Sequence, residues 1–298
     1  MSERLDRLAA SFDRALRADG KSERTRVLYG QSIRFFSEWL VREGREPELD
    51  EFTRLAVREW MNELKGTKAP GTVAVRFRGL RRFSRWLVVE EIRDKNVMAG
   101  MEAPEVPEKP VPVLVDDELA ALLKLCKGKD FRSRRDEAMV RLFFDCGLRV
   151  AELCGIQLDH VDLDAEVIQV TGKGDKVRLV YPSAKTFRAV ERYIRERAKS
   201  KHARTTKALF LSQRGAWSVD GVRDRLGVMA KQAGLDHINP HRFRHTFAHD
   251  YLLSGGQERD LKRLAGWTSD VMLEVYGRST AQQRAAHAAR KLGRGNRL

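Results

Sequence analysis

The chain has 298 residues, 42% hydrophobic and 33% charged, with 22 Gly and 8 Pro, a composition that excludes disorder as the main state and fits one or two globular domains. Lys and Arg number 57 against 42 Asp and Glu, a formal charge of +15, which points to a polyanionic partner. No apolar run reaches the roughly 20 residues of a bilayer span and the N-terminus lacks a signal-sequence pattern, so that partner is read as soluble nucleic acid, with no membrane involved.

The first part of the chain reads as a small helical bundle over residues 1–103. A helix start at Ser22 to Thr25 leads into Leu28, Phe35, Phe36, Trp39 and Leu40 at helical intervals. Between Lys65 and Arg85 lie seven basic residues (Lys65, Lys68, Arg76, Arg78, Arg81, Arg82 and Arg85) and no acidic one. On a helix, Arg78, Arg81, Arg82 and Arg85 share one face, and Val73, Phe77, Leu80 and Leu87 share the opposite one. A solvated helix face usually mixes signs, so this segment is a candidate DNA-binding surface.

Residues 104–112 carry four prolines, Pro104, Pro107, Pro110 and Pro112, and read as a linker. Residues 1–105 hold 21 basic and 18 acidic side chains against 36 and 24 in the remainder, so most of the basic excess lies beyond that seam. Past it, Asp116 or Asp117 is expected to cap a helix through Leu119, Leu122, Leu123 and Leu125, and a second helix covers Arg134 to Phe144. Val161 to Tyr181 alternates, broken by a glycine-containing turn at residues 171–176, and predicts a two-stranded hairpin with lysines at its tip. Helical patterning returns over Ala184 to Lys199, Val219 to Ala233 and Arg242 to Leu253. The expected fold is mainly α with a small antiparallel sheet. Cys126, Cys146 and Cys154 form no zinc motif and cannot all pair, which fits a reducing compartment.

Five local signals in this second part, residues 113–298, suggest chemistry. Arg149 follows Gly147-Leu148, with Glu152 one turn later where it can orient the guanidinium or simply form a surface ion pair. Lys173 sits on the hairpin tip, as a soluble turn residue or a proton donor. His241, Arg244 and His245 follow Pro240 at the opening of a helix; an imidazole and a guanidinium on one face suit a phosphate. With His249 the histidines imitate a zinc-protease spacing, but Arg242 stands where that chemistry needs a glutamate base, so no metal is expected. Trp267 after Gly266 is either a packed indole or a hydrogen-bond donor, and Tyr276 is one of five tyrosines.

Taken in order, Arg149, Lys173, His241 with Arg244 and His245, Trp267 and Tyr276 resemble the tyrosine recombinase family of phage integrases, Xer recombinases and Cre. The segments that carry the resemblance are Gly147-Leu148-Arg149 with Glu152-Leu153, Gly172-Lys173-Gly174, His241-Arg242-Phe243-Arg244-His245, and a tyrosine nine positions after Trp267. Thr25, Tyr29, Phe36 and Trp39 are similar to the first helix of that family's core-binding (SAM-like) domain, and no arm-binding domain is expected before it. Tryptophan replaces the commoner histidine at position 267, and an indole cannot shuttle a proton.

The resemblance implies strand cleavage by Tyr276 through a 3′-phosphotyrosyl link, without metal, cofactor or nucleotide fuel. Arg149 and Arg244 would neutralise phosphate oxygens, and Lys173 would be the general acid. His241 would accept the tyrosine proton or hold phosphate, Trp267 would donate to phosphate, and Glu152 and His245 would support them. It further implies double-stranded attachment or recombination sites as substrate and a tetramer on DNA that exchanges a C-terminal segment between neighbours; Ala281 to Leu292 is read either as that exchanged helix or as a helix folded onto its own domain. Accessory directionality proteins or a partner recombinase, and a cytoplasmic, nucleoid-associated place of action, follow from it as well. The leading expectation is an integrase. The alternatives are a Xer-type chromosome or plasmid dimer resolvase, a type IB topoisomerase, a non-catalytic DNA-binding regulator and, last, a metal-dependent hydrolase.

Overall fold

A computed structural model describes residues 3–107, 112–172, 174–267 and single positions or pairs beyond, at 269–270, 273, 285–286, 289–290 and 293. Lys173 and Tyr276 lie outside the described residues, as does most of the segment 281–292. The chain divides into two compact units, Met1–Lys109 and Pro110–Leu298. No helix among the described residues is long and apolar enough to cross a membrane.

The first unit is built from α1 (Leu5–Ala18), α2 (Glu23–Arg42), α3 (Arg54–Thr67) and α4 (Pro70–Val89). Local chemistry sets the starts: the Ser22 hydroxyl accepts from Thr25 N at 3.3 Å, the Thr53 hydroxyl accepts from Ala56 N at 3.1 Å, and Pro70 opens α4, where its missing N–H costs nothing. The buried faces meet in an aromatic core of Phe12, Phe36, Phe52, Trp60, Phe83 and Trp86, with ring centroids 5.4–5.7 Å apart.

The opposite face of α4 is basic, as its periodicity predicts: Arg78, Arg82 and Arg85 are exposed, as are Lys65 and Lys68, while Arg81 is half-buried. Three members have partners within the unit, among them Arg78, whose Nε donates to Ala74 O at 3.3 Å. Arg76 is half-buried with its guanidinium 4.5 Å from the Phe35 ring centroid, and burial pulls its pKa down. Arg82 donates at 2.8 Å to Asp19, the residue that caps the C-terminal end of α1, so the absence of acid within 65–85 does not keep every cation free.

The second unit runs α5 (Asp116–Lys124), α6 (Phe131–Cys146), α7 (Val150–Gly155), β1 (Val161–Asp162), β2 (Val167–Thr171), β3 (Val177–Val180), α8 (Ala184–Arg197), β4 (Leu211–Ser212), β5 (Gly215–Ala216), α9 (Val219–Ala233), α10 (Pro240–Leu253) and α11 (Glu258–Ala265). Helix α6 is the central strut. Its Met139, Leu142 and Phe143 are fully buried with Val190 and Tyr193 of α8, and Phe143 stacks on Phe243 of α10 at 5.8 Å. The antiparallel sheet has three strands in the order β1-β2-β3, with Val170 opposite Arg178, and a separate two-stranded ribbon joins β4 to β5.

Several sequence expectations need correction. The sheet gains β1, and the β4–β5 ribbon is too short to show alternation. Helix α6 begins at Phe131, since Asp130 accepts from Arg132 N and Ser133 N. Helix α5 is capped at Val115 and not by Asp116 or Asp117: the Glu118 carboxylate reaches back to Val115 N at 3.0 Å, leaving both aspartates in the first turn.

Candidate active site

The site grows out of two helix ends. Helix α6 stops at Gly147, whose φ of 57° lies in the left-handed region, and a Cβ there would lie 2.4 Å from Phe247 Cδ1, so α10 approaches too closely for any side chain. Helix α11 stops at Gly266 (φ 63°), with Trp267 N donating to Lys262 O at 2.9 Å, the six-to-one bond of a Schellman end. These reversals bring the carbonyls of Gly147, Ala265 and Gly266 inward, and two arginines collect them.

Arg244, 6% exposed on α10, donates Nη1 to Gly147 O at 2.7 Å and Nη2 to Ala265 O. Its guanidinium lies 5.5 Å from the Trp267 ring centroid. Arg149, at the start of α7, donates Nη2 to Gly266 O at 3.1 Å. Its Nη1 donates to Glu152 Oε1 at 2.6 Å, while its own amide donates to Glu152 Oε2 at 2.8 Å. Glu152 is thus helix cap and guanidinium support at once, and its side chain is 2% exposed against 35% for Arg149. The two arginines bond to consecutive carbonyls of one turn, and Arg149 keeps a face open to solvent.

A third arginine, which the sequence reading passes over, completes this group. Arg178 on β3 donates Nη2 to Glu152 Oε2 at 2.8 Å. It points inward because it shares a strand face with buried Val180, whereas Val177 and Leu179 face out. That alternation is the signal that would have found it. Burial holds its guanidinium below its ordinary pKa, and the Glu152 charge opposes the shift.

The hairpin turn begins beside the same pair. Gly172 N donates to Lys176 O at 2.8 Å, and a Cβ on Gly172 would lie 3.4 Å from Glu152 Oε1 and 3.9 Å from Arg149 Nη1. The residue before Lys173 therefore abuts the Arg149–Glu152 pair.

His241 is exposed in the first turn of α10, which Asn239 caps by accepting from Arg242 N at 3.0 Å; a helix N-terminus favours an anion. Arg242 turns away, donating to Val113 O and to both Glu118 carboxylate oxygens at 2.6 and 2.8 Å, so it clamps α10 to α5. Trp267 is 8% exposed and packs with Leu252, Leu261 and Ala265, which makes it a core indole as well as a neighbour of Arg244. Among the described residues no group of three or more His, Cys, Asp or Glu is arranged to hold a metal ion.

His245 is half-buried, and its pKa is pushed down to about 4, by burial first and then by His241 and Arg244. Between about pH 4 and about pH 6.5 the unfolded chain binds the proton and the folded one does not. Stability is therefore expected to fall as pH drops through that window, and a His245→Asn variant should lose less. Urea midpoints at about pH 7 and about pH 4.5 check this, and equal slopes for the two proteins would refute it.

A helical bundle followed by an α+β unit whose arginines meet at helix-end turns fits the resemblance to tyrosine recombinases. Comparison with known proteins agrees. Residues 112–283 match the phage integrase family and residues 8–94 match the phage integrase N-terminal SAM-like domain. A tyrosine recombinase XerC from Anoxybacillus flavithermus is 33% identical over 261 residues, covering 86% of this chain and 87% of that protein. A XerD from Lacticaseibacillus casei is 29% identical over 260 residues, covering 86% and 88%. The Tn1549 transposon integrase, solved with transposon right-end DNA, shares the fold with a TM-score of 0.72 at 21% identity, covering 97% and 99%. The chain belongs to the phage integrase family of tyrosine recombinases, enzymes that break and rejoin DNA strands by transesterification.

Proposed function

We propose that this chain is a site-specific integrase whose nucleophile is Tyr276. The phenol oxygen attacks a backbone phosphodiester, forming a 3′-phosphotyrosyl bond as the bond to the 5′-oxygen breaks. The released 5′-hydroxyl then attacks the matching linkage of a partner duplex and frees the tyrosine. Arg149 and Arg244 take the two non-bridging oxygens as charge builds in the pentacoordinate transition state. Lys173 protonates the departing 5′-oxygen, and His241 accepts the tyrosine proton or holds phosphate. Trp267 donates its indole N–H to a phosphate oxygen. Glu152 and His245 keep the arginines and His241 in place, and no metal or cofactor takes part.

The single observation behind this reading is the attachment of Arg149 and Arg244 to consecutive carbonyls, Gly266 O and Ala265 O, on one turn. That spacing suits one phosphate.

Lys65, Lys68, Arg76, Arg78, Arg81, Arg82 and Arg85 contribute the counter-charge to the duplex. The working assembly is a tetramer on DNA, acting in the cytoplasm at the nucleoid, with accessory or partner recombinase proteins deciding direction. A second reading, chromosome or plasmid dimer resolution, draws support from the XerC and XerD relatives. The test is capture. Wild-type protein is mixed with sheared source-genome DNA in EDTA without nucleotide, and denaturation-resistant adducts are digested and sequenced. Enrichment of the ends of a mobile element supports integration, enrichment of one chromosomal site supports resolution, and no adduct overturns both.

A further inference from the structure

Glu152 is a single carboxylate with two arginines. Its Oε1 accepts from Arg149 Nη1 at 2.6 Å, and its Oε2 accepts from the Arg149 amide and from Arg178 Nη2, each at 2.8 Å. Arg149 and Arg178 each form no other salt bridge among the described residues, so the group carries one surplus positive charge. Arg178 Nε and Nη1 are buried without a hydrogen-bond partner. A buried cation with two orphan donors is a costly thing to keep for packing alone, and an apolar side chain on the inner face of β3 would serve a core better.

The surroundings indicate what the cost secures. Gly266 lies directly over the Arg178 stem, since a Cβ there would be 2.8 Å from Arg178 Nε. The carbonyl of that same glycine holds Arg149 Nη2. Arg178 also stands on the hairpin whose turn starts at Gly172, beside Glu152. One side chain therefore touches the hairpin, the carboxylate and the α11 turn.

Resting on the recombinase reading, we propose that Arg178 is a positioning residue of the cleavage reaction. It fixes Glu152 from the β3 side, so that Arg149 keeps its aim when it exchanges the Gly266 carbonyl for a phosphate oxygen, and it ties the Lys173 turn to that arginine. Arg178 itself does not touch the phosphate, because its two unpartnered nitrogens are enclosed.

The experiment uses the full chain and a nicked duplex carrying a site recovered by the capture above. Arg178→Gln is expected to slow single-turnover cleavage by about 10- to 100-fold with DNA affinity within about twofold of wild type. Arg178→Lys, which keeps the charge and loses the planar fork, is expected to recover part of that rate. Because both act through one carboxylate, the Glu152→Gln/Arg178→Gln pair is expected to be no slower than the slower single variant. Without DNA, amide hydrogen exchange in Arg178→Gln is expected to accelerate at Arg149 and Gly172 while α6 stays protected, which also shows that the variant folds. Wild-type cleavage by Arg178→Gln, a loss confined to DNA affinity, multiplicative effects in the pair, or unchanged exchange at Arg149 and Gly172 overturns the proposal. Failure of the wild type to form any adduct sinks the recombinase reading instead, and the exchange measurement still decides whether Arg178 holds Arg149.

Discussion

Tyr276→Phe is expected to abolish the covalent protein–DNA adduct, by about 10⁴-fold or more, while binding of duplex stays within about twofold of wild type. In the proposed mechanism the phenol oxygen is the atom that bonds to phosphorus, so no rearrangement of the remaining donors would replace it. The chain has five tyrosines, and the structure separates the others. Tyr193 is fully buried, its hydroxyl donates to Leu209 O at 3.1 Å and accepts from Leu211 N at 2.9 Å, and burial pushes its pKa up to about 12. It can neither reach a duplex nor ionise readily. Tyr29 lies on α2 in the other unit, and the Tyr251 ring is spent against Phe247, with centroids 6.2 Å apart. Tyr181, 62% exposed just after β3, is the competitor that sterics leave open. Tyr181→Phe should therefore keep the adduct. Loss of adduct in Tyr181→Phe and its retention in Tyr276→Phe would move the nucleophile, and denaturing gels of the two proteins decide.

What the sequence revealed follows the range of each interaction. Glu152 supports Arg149 across three residues, a distance that helical geometry fixes in advance, so the pair was legible. Helix α9 was legible to the residue because Ser218 caps one end and Gly234, in the left-handed region, closes the other. Arg244 was legible as a residue of the α10 face that carries His241, but its bond to Gly147 O was not, since 97 positions separate them. Arg178 was missed because one inward cation in a four-residue strand reads as ordinary alternation until its partner is known. On α4 the partners of the cations were the part that stayed out of reach. A run without acids says nothing of partners elsewhere in the chain, and only folding brings Asp19 to Arg82 and the Phe35 ring to Arg76.

Arg149 and Arg244 are expected to fail differently when replaced by alanine, although both should lose roughly 10²–10³-fold in cleavage rate, as preorganised donors to a developing charge do. Arg149 is a third exposed, and after its loss Glu152 still holds Arg178 and the residue 149 amide. Its variant should stay within about 1 kcal/mol of wild-type stability, as expected for a partly screened pair. Arg244 is buried, and its two ends satisfy Gly147 O and Ala265 O, which close α6 and α11. Removing it strands two carbonyls and takes a cation from the Trp267 ring, so Arg244→Ala should lose about 2–4 kcal/mol as well as activity. A lysine cannot bridge both carbonyls from one ammonium, so Arg244→Lys should recover little. Urea unfolding and single-turnover cleavage of the three variants separate the two effects. Equal stability losses for Arg149→Ala and Arg244→Ala would mean that the helix-end carbonyls do not depend on Arg244, and near-wild-type cleavage by either would remove that arginine from the phosphate site.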